Sequence, residues 1–338
     1  MEVQNGKRNL KRDYVVCSDG KGGKLEKHVS FEFPGHGFVE NLHIVGCCNG
    51  LVCLPITCCT SSSVDPAQVV MLWNPMIRRF LHLPKSDVES RFGKSCHTFG
   101  FVFDYVKNDY KVLRIYSGLR DKTTMIEIFR LSTGLWEVVA NGPSFAHISR
   151  RSAQVDLEGI AHCIGKDGTG KLKIVSFDTQ EEVFDSIGLP VNEGKYDRVL
   201  VHGWETKNKF CIWRMKEYGV VESWTKLHNF AFNISVHPLA FRMNGDILWA
   251  GRNGELISTD VEGLQKYLST CEAATCFSSC SYYVESLVLL DQTITNGVPV
   301  STMEESPENQ MILSDDEFVN WSPPPQCLSM EVEDARGG

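Results

Sequence analysis

The residues of this chain that could do chemistry are few, and each stands in a pattern that stops short of a site. Gly165-Lys166-Asp167-Gly168-Thr169-Gly170-Lys171-Leu172 approaches a phosphate-binding loop. Such a loop needs Ser or Thr after its lysine to hold Mg²⁺, and it opens a helix. Leu172 offers no oxygen and the segment falls between two apolar runs, so a hairpin loop is expected. The glycine-rich run from Asp19 to Lys24 reads the same way. Cys271, Cys276 and Cys280 form the best metal candidate, because structural zinc favours closely spaced cysteines. A second pair is usual, however, and no His lies within or after that segment. Cys47, Cys48, Cys53, Cys58 and Cys59 are weaker still, since neighbours on a strand point to opposite faces. Gly-x-Ser-x-Gly and His-Glu-x-x-His do not occur. No catalytic, cofactor-binding or metal residue is assigned, no cofactor is expected, and the chain reads as a non-enzyme.

The charge points away from nucleic acid and membrane. The formal net charge is −8, and residues 301–338 hold nine acids and one base, which accounts for all of it. The preceding 300 residues balance 33 acids with 33 bases, leaving no electrostatic footprint for a polyanion. No run approaches the ~18 apolar residues of a membrane helix. The polar, basic start does not resemble a secretory signal. The 13 cysteines then read as reduced, mostly buried thiols of a cytosolic or nuclear protein. Lys7-Arg8 and Lys11-Arg12 fit a frayed basic terminus better than an import signal.

What must position any site is a repeated hairpin. Trp73, Phe129 and Phe177 each end an apolar run, and Phe80, Trp136 and Phe184 return seven residues later. Short runs rich in Val, Ile, Phe and Trp, split by polar turns, are β-hairpins. Asn49-Gly50 between His43–Gly46 and Leu51–Leu54 is a further hairpin signal. So are Lys107-Asn108-Asp109 and Glu158-Gly159. Trp224 is read as the aromatic return for Trp213, and Asn74, Asp178 and Asp260 as residues that fold back on their turns. Anchors at Trp73, Phe129, Phe177, Trp213 and Thr259 lie 56, 48, 36 and 46 residues apart. That brackets the ~40–50 residues of a four-stranded propeller blade. Val199–His202 should be a strand, Val261–Leu268 a helical turn or two, and Ser281–Leu290 the last strand. The fold expected is an all-β, kelch-like β-propeller of about six blades spanning 14–294, closed by its end strands. A flexible basic N-terminus (1–13) and a disordered acidic tail (295–338) flank it.

From Ile44 onward the chain resembles the F-box-associated domain of plant F-box proteins, which include S-locus and kelch-like types. The resemblance rests on Val45–Leu54, Leu72–Pro75 with Arg78–Phe80 and Leu83-Pro84, Phe99–Phe101 with Asp109–Val112, and Ile174–Asp178. It continues through Trp213–Val220 with Ser223–Leu227, and Val284–Leu290. It implies a protein-binding propeller, the substrate-recognition part of a Skp1-cullin-F-box ubiquitin ligase receptor, with a target protein docking on loops over one face. Cys58–Pro66, Lys85–Ser95 and Gly142–Arg151 are long enough for that, though no partner-binding residue is singled out. Family members carry a helical F-box that docks on a Skp1-type adaptor. The 43 residues before Ile44 read as strands and turns, so the F-box is expected to be missing and adaptor binding to require one upstream. The alternative is a small-ligand or catalytic site in the central channel.

Overall fold

The computed structural model describes residues 44–58, 67–86, 88, 96–117, 124–139, 145–148, 155–157, 159–190, 209–242, 244–251, 255–260, 262–268 and 286–288, and short strands outside them. Apart from one 3-10 turn at Val221–Ser223, the regular structure there is β.

The repeated hairpins pair as their spacing requires. A four-residue turn flanked by one pair places residue i opposite residue i+7. Trp73 accordingly faces Phe80, Phe129 faces Trp136, and Phe177 faces Phe184. The last two pairs touch, with ring centroids 5.4 and 4.6 Å apart. Asn49 and Gly50 turn their hairpin with φ of 42° and 82°, the left-handed backbone that Asn-Gly accepts.

Five antiparallel sheets of three or more strands result among the described residues. Sheet I joins Gly46–Cys48, Leu51–Cys58, Ala67–Asn74 and Arg79–His82, with Val39–Leu42 and Val300–Thr302 at its edges. Sheet II is Cys96–Asp104, Asp109–Ser117, Thr124–Arg130 and Leu135–Val139. Sheet III is built on Ile160–Asp167, Leu172–Asp178 and Val183–Gly188, with Phe145–Ile148 and Val155–Leu157 beside the first. Sheet IV pairs Lys209–Met215 with Trp224–Ala231, and Ser329–Val332 adds a third strand. Sheet V runs Val236–Phe241, Ile247–Gly251, Leu256–Thr259 and Gln265–Leu268. Four of these have the four or more strands of a full blade. The described residues thus show four full blades against the expected count of about six, with sheet IV and the hairpin of Asp13–Asp19 with Leu25–Glu32 as smaller sheets.

Apolar clusters lie between consecutive sheets, so each blade buries its faces against its neighbours. Leu51, Leu72 and Leu81 of sheet I meet Phe101, Val112 and Phe129 of sheet II. Leu113 and Ile128 of sheet II meet Phe177 of sheet III. Ile174 and Ile187 meet Met215 and Trp224 of sheet IV. Phe210, Ile212 and Phe230 then surround Trp249 of sheet V. Burying such side chains contributes roughly 1.5–3 kcal/mol each. The recurrent aromatics thus hold blades together, as their repetition implies.

Three expectations need correction. Trp213 faces Lys226, not Trp224, because the turn closes on the pair Met215–Trp224, two residues further along the strand. The Lys226 ammonium lies 5.9 Å from the Trp213 ring centroid instead. Residues 262–268, the described part of the expected helical turn Val261–Leu268, are not helical: Gly263 takes φ 90°, and Gln265–Leu268 pairs with the open edge of Leu256–Thr259. Ladder bonds there satisfy more backbone than one isolated helical turn would. Ser286–Val288, the described part of the expected last strand, has no ladder either. Val199–His202 lies outside the described residues, as does most of 1–13 and of the tail from 295, apart from the short strands Val3–Gln4, Lys7–Arg8, Val300–Thr302 and Ser329–Val332.

Candidate interaction face

Four turns at one end of sheets I to III share a construction. Asn74 Oδ1 accepts from Met76 N; Asp104 Oδ1 from Val106 N and Lys107 N; Asp178 Oδ1 from Gln180 N and Glu181 N. In the fourth, Asp109 Oδ1 accepts from Ser132 N across the sheet. Asp260 repeats the device in sheet V, accepting from Glu262 N and Leu264 N. The role read for Asn74, Asp178 and Asp260 from their place after a strand is therefore what the structure shows. Asp104 was missed, although it follows Phe103 in the same position. The last residue of each turn has left-handed backbone: Arg78 (φ 52°), Asn108 (51°), Gly134 (68°) and Glu182 (57°). Glu182 bears a Cβ there at a cost of about 1–2 kcal/mol, so other contacts must hold it.

Those contacts are ionic. The Lys111 ammonium, with no exposed side-chain surface, donates to Asp104 Oδ2 at 2.7 Å and to the Thr179 carbonyl at 2.6 Å. It also stands 2.8 Å from Glu182 Oε1. Arg130 Nη2 reaches both Glu182 oxygens at 2.7 and 2.6 Å, and its Nη1 binds Glu137. This latch ties sheet II to the final turn of sheet III. Burial pushes the Asp104 carboxyl up, but hydrogen bonds from Lys111, Lys107 N and Val106 N, with the Lys111 charge, outweigh it and hold it below the usual carboxylate range. Glu182 follows the same balance: burial opposes, Lys111 and Arg130 prevail, and its carboxyl is held low.

A second polar network fixes sheet II against the chain leaving sheet I. Tyr116 donates to Glu127 Oε2 at 2.5 Å, Ser86 Oγ donates to Glu127 Oε1, and Arg114 Nη1 donates to the Tyr116 oxygen at 3.3 Å. Burial pushes the Tyr116 phenol up to about 12. The Arg114 guanidinium lies over Trp136, 4.5 Å from the ring centroid, and Trp136 Nε1 donates to the Pro84 carbonyl at 2.8 Å. Between sheets III and IV, His162 Nε2 and Tyr218 OH are 2.9 Å apart. Trp224 Nε1 donates to the Gly188 carbonyl at 3.0 Å.

The sequence-level candidates separate clearly. In the phosphate-loop-like segment, Asp167 Oδ1 takes the amides of Thr169 and Lys171. An anion would meet that carboxylate, and the segment is a hairpin loop between two strands. Cys271, Cys276 and Cys280 lie outside the described residues. Cys47, Cys48 and Cys53 are reduced, and Cys48 Sγ donates to the Phe101 carbonyl at 3.6 Å. Of the long loops, 59–66, 89–95, 142–144 and 149–151 lie outside the described residues, and Phe145–Ile148 within Gly142–Arg151 is a strand of sheet III rather than loop. Ser86 and Val88 at the start of Lys85–Ser95 are buried, and Val88 N donates to Ser86 Oγ.

Antiparallel sheets stacked through apolar clusters and joined by polar latches define a β-propeller. The F-box associated beta propeller domain family matches residues 13–267, and the chain belongs to that family. Among curated relatives from Arabidopsis thaliana, F-box/kelch-repeat protein At3g23880 is 27% identical over 54% of this chain and 51% of its own length. F-box protein At3g07870 is 27% identical over 63% and 56%. F-box protein CPR1 is 28% identical over 73% and 68%. The chain thus spans about half the length of the first two. The solved Dos1 propeller aligns with a TM-score of 0.33 at 11% identity, covering 79% of this chain and 72% of that one.

Proposed function

We propose that this chain is the target-recognition propeller of a Skp1-cullin-F-box type ubiquitin ligase receptor, acting without catalysis of its own in the cytoplasm or nucleus. The observation that carries the reading is the match to F-box associated propellers over residues 13–267. The latched blades suit it: a rigid scaffold presents loops and turns in fixed positions, which lowers the ordering cost of binding. The Skp1-type adaptor would be engaged through an F-box joined to the propeller, and the propeller would bring the target within reach.

The reading is tested by reconstitution. The chain is fused behind the F-box of a curated relative and combined with adaptor, cullin, RING subunit and E2. Proteins retained by the propeller alone are then offered as substrates. Ubiquitin should be transferred to them, and not when the same F-box carries an unrelated propeller. Retained proteins that the fusion never modifies would sink the reading.

A further inference from the structure

Among the described residues, sheet IV draws only two strands from its own stretch of chain, Lys209–Met215 and Trp224–Ala231. Its third strand, Ser329–Val332, begins 116 positions beyond Trp213, the residue that Ser329 meets. The pairing is antiparallel and four residues long. Ser329 stands opposite Trp213, Met330 opposite Ile212, Glu331 opposite Cys211 and Val332 opposite Phe210. The receiving strand is part of the core: Phe210, Cys211 and Ile212 are buried, and Phe210 and Ile212 pack with Trp249 of sheet V. Its other edge is held by seven register pairs, from Lys209–Ala231 to Met215–Trp224. Each ladder bond adds a similar net increment, so the tail strand is the weaker of the two partners.

We propose that the edge of Lys209–Met215 turned away from Trp224–Ala231 is a strand-addition site for an extended segment of a target protein, which Ser329–Val332 occupies in the target's absence. The inference deepens the proposed function and rests on it for the word target. An uncovered strand edge presents a row of backbone donors and acceptors, so an extended segment is the ligand it fits. The register states the side-chain chemistry. Target residues in the places of Met330 and Val332 would stand opposite Ile212 and Phe210 and should be apolar, because cross-strand partners share a face. Acids belong between and after them. The chain reads Ser329-Met330-Glu331-Val332-Glu333-Asp334, and Lys209 is the next residue of the receiving strand beyond Phe210. Displacement is a competition with a tethered segment. Val300–Thr302 is anchored on Arg79–Leu81, and 26 residues join it to Ser329. Such a tether keeps the resident strand at a local concentration of roughly 1 mM, so a target must bind the edge better than the tail does or bring further contacts.

The probe is a synthetic peptide of residues 328–336, offered to the full chain and to a full-chain variant carrying Met330→Pro and Glu331→Pro. Two adjacent prolines remove an amide donor whichever way each one points, and so release the tail strand. In the variant, hydrogen exchange at Phe210–Trp213 should quicken about tenfold or more, while Ile247–Gly251 of sheet V exchanges as in the parent. The peptide should bind the variant about tenfold more tightly than the parent, whose edge is already filled. Copies of the peptide with Met330→Ser and Val332→Ser, or with Glu331→Lys and Glu333→Lys, should bind the variant less well. Unchanged exchange at Phe210–Trp213 assigns the edge to another part of the chain and overturns the proposal, as does a peptide that parent and variant bind alike. Exchange that quickens through sheet V as well makes the tail strand a fixed part of the core, and overturns it too. In the reconstituted ligase the variant should modify its targets faster than the parent. Equal modification means that this edge is not the target site, and the ligase reading stands. If peptide binding follows the edge but retained proteins are never modified, the edge stands and the ligase reading fails.

Discussion

The side-chain amide of Asn74 donates to the carbonyls of Ser286 and Val288 at 2.9 and 3.0 Å, joining residues 212 and 214 positions apart. The same side chain accepts from Met76 N, so one buried Asn both shapes the first-blade turn and clamps the closing segment. Val288 completes the join by packing on the cluster between sheets I and II. The late part of the chain is therefore tied to the first blade by an amide clamp as well as by the pairing of Val300–Thr302 with Arg79–Leu81.

Asn74→Ala removes three hydrogen bonds and strands two carbonyls, so it should destabilise the propeller by about 2–3 kcal/mol. Asn74→Asp should be worse, because a carboxylate then faces two carbonyl oxygens. Urea unfolding measures both. Equal stability of Asn74→Asp and the parent would show that the clamp does not hold the ring.

Lys111→Met keeps the volume and removes the charge, leaving Asp104 buried without its cation. The expected cost is about 3–5 kcal/mol. Adding Asp104→Asn should recover a large part of it, since the turn amides keep an oxygen acceptor. A double-mutant cycle in denaturant reads the coupling; additive losses would show that the two side chains act independently.

Asp104 and Glu182 are both held below their ordinary values of 3.8 and 4.5. A carboxyl lowered in the folded state adds stability above its unfolded pKa and loses it as pH falls through the folded one. Stability should therefore be level near neutrality and decline below about pH 5, as the unfolded chain begins to take up protons more readily. Lys111→Met should flatten that decline, because it removes the main cause of the lowering. Chemical denaturation at a series of pH values tests the difference in slope.

Cys53 and Cys211 are buried, and burial pushes the Cys53 thiol up while that of Cys163 rises to about 12. Since the thiolate is the reactive form, all three should resist alkylation in the native protein at pH 8 and react on denaturation. Mass spectrometry after iodoacetamide treatment gives the answer by residue. Rapid native labelling of Cys53 would contradict the packing of sheet I.

Much of this architecture is local and could be read from the chain. Aromatic residues seven apart specify a four-residue turn and a direct cross-strand pair, and Trp73–Phe80, Phe129–Trp136 and Phe177–Phe184 form as that arithmetic demands. Asn74, Asp178 and Asp260 need only their own turns, so their roles were legible too. The register shift before Trp213 and the strand Gln265–Leu268 were not, because packing between sheets and an open strand edge decided them.

The latch and the clamp belong entirely to the tertiary structure. Every described residue of Asp109–Tyr116 is buried, although Lys111 and Arg114, three apart, put a charge on each face of the strand. An inner blade strand is covered on both faces, so charge on it does not mark solvent. Buried polar groups must then find partners, and some of those are distant in the chain: Thr179 lies 68 positions from Lys111, and Ser286 lies 212 from Asn74. Spacing along the chain determined the hairpins and the family. Only the stacking of the sheets decided which buried groups meet, and so which turns stand rigid at the surface.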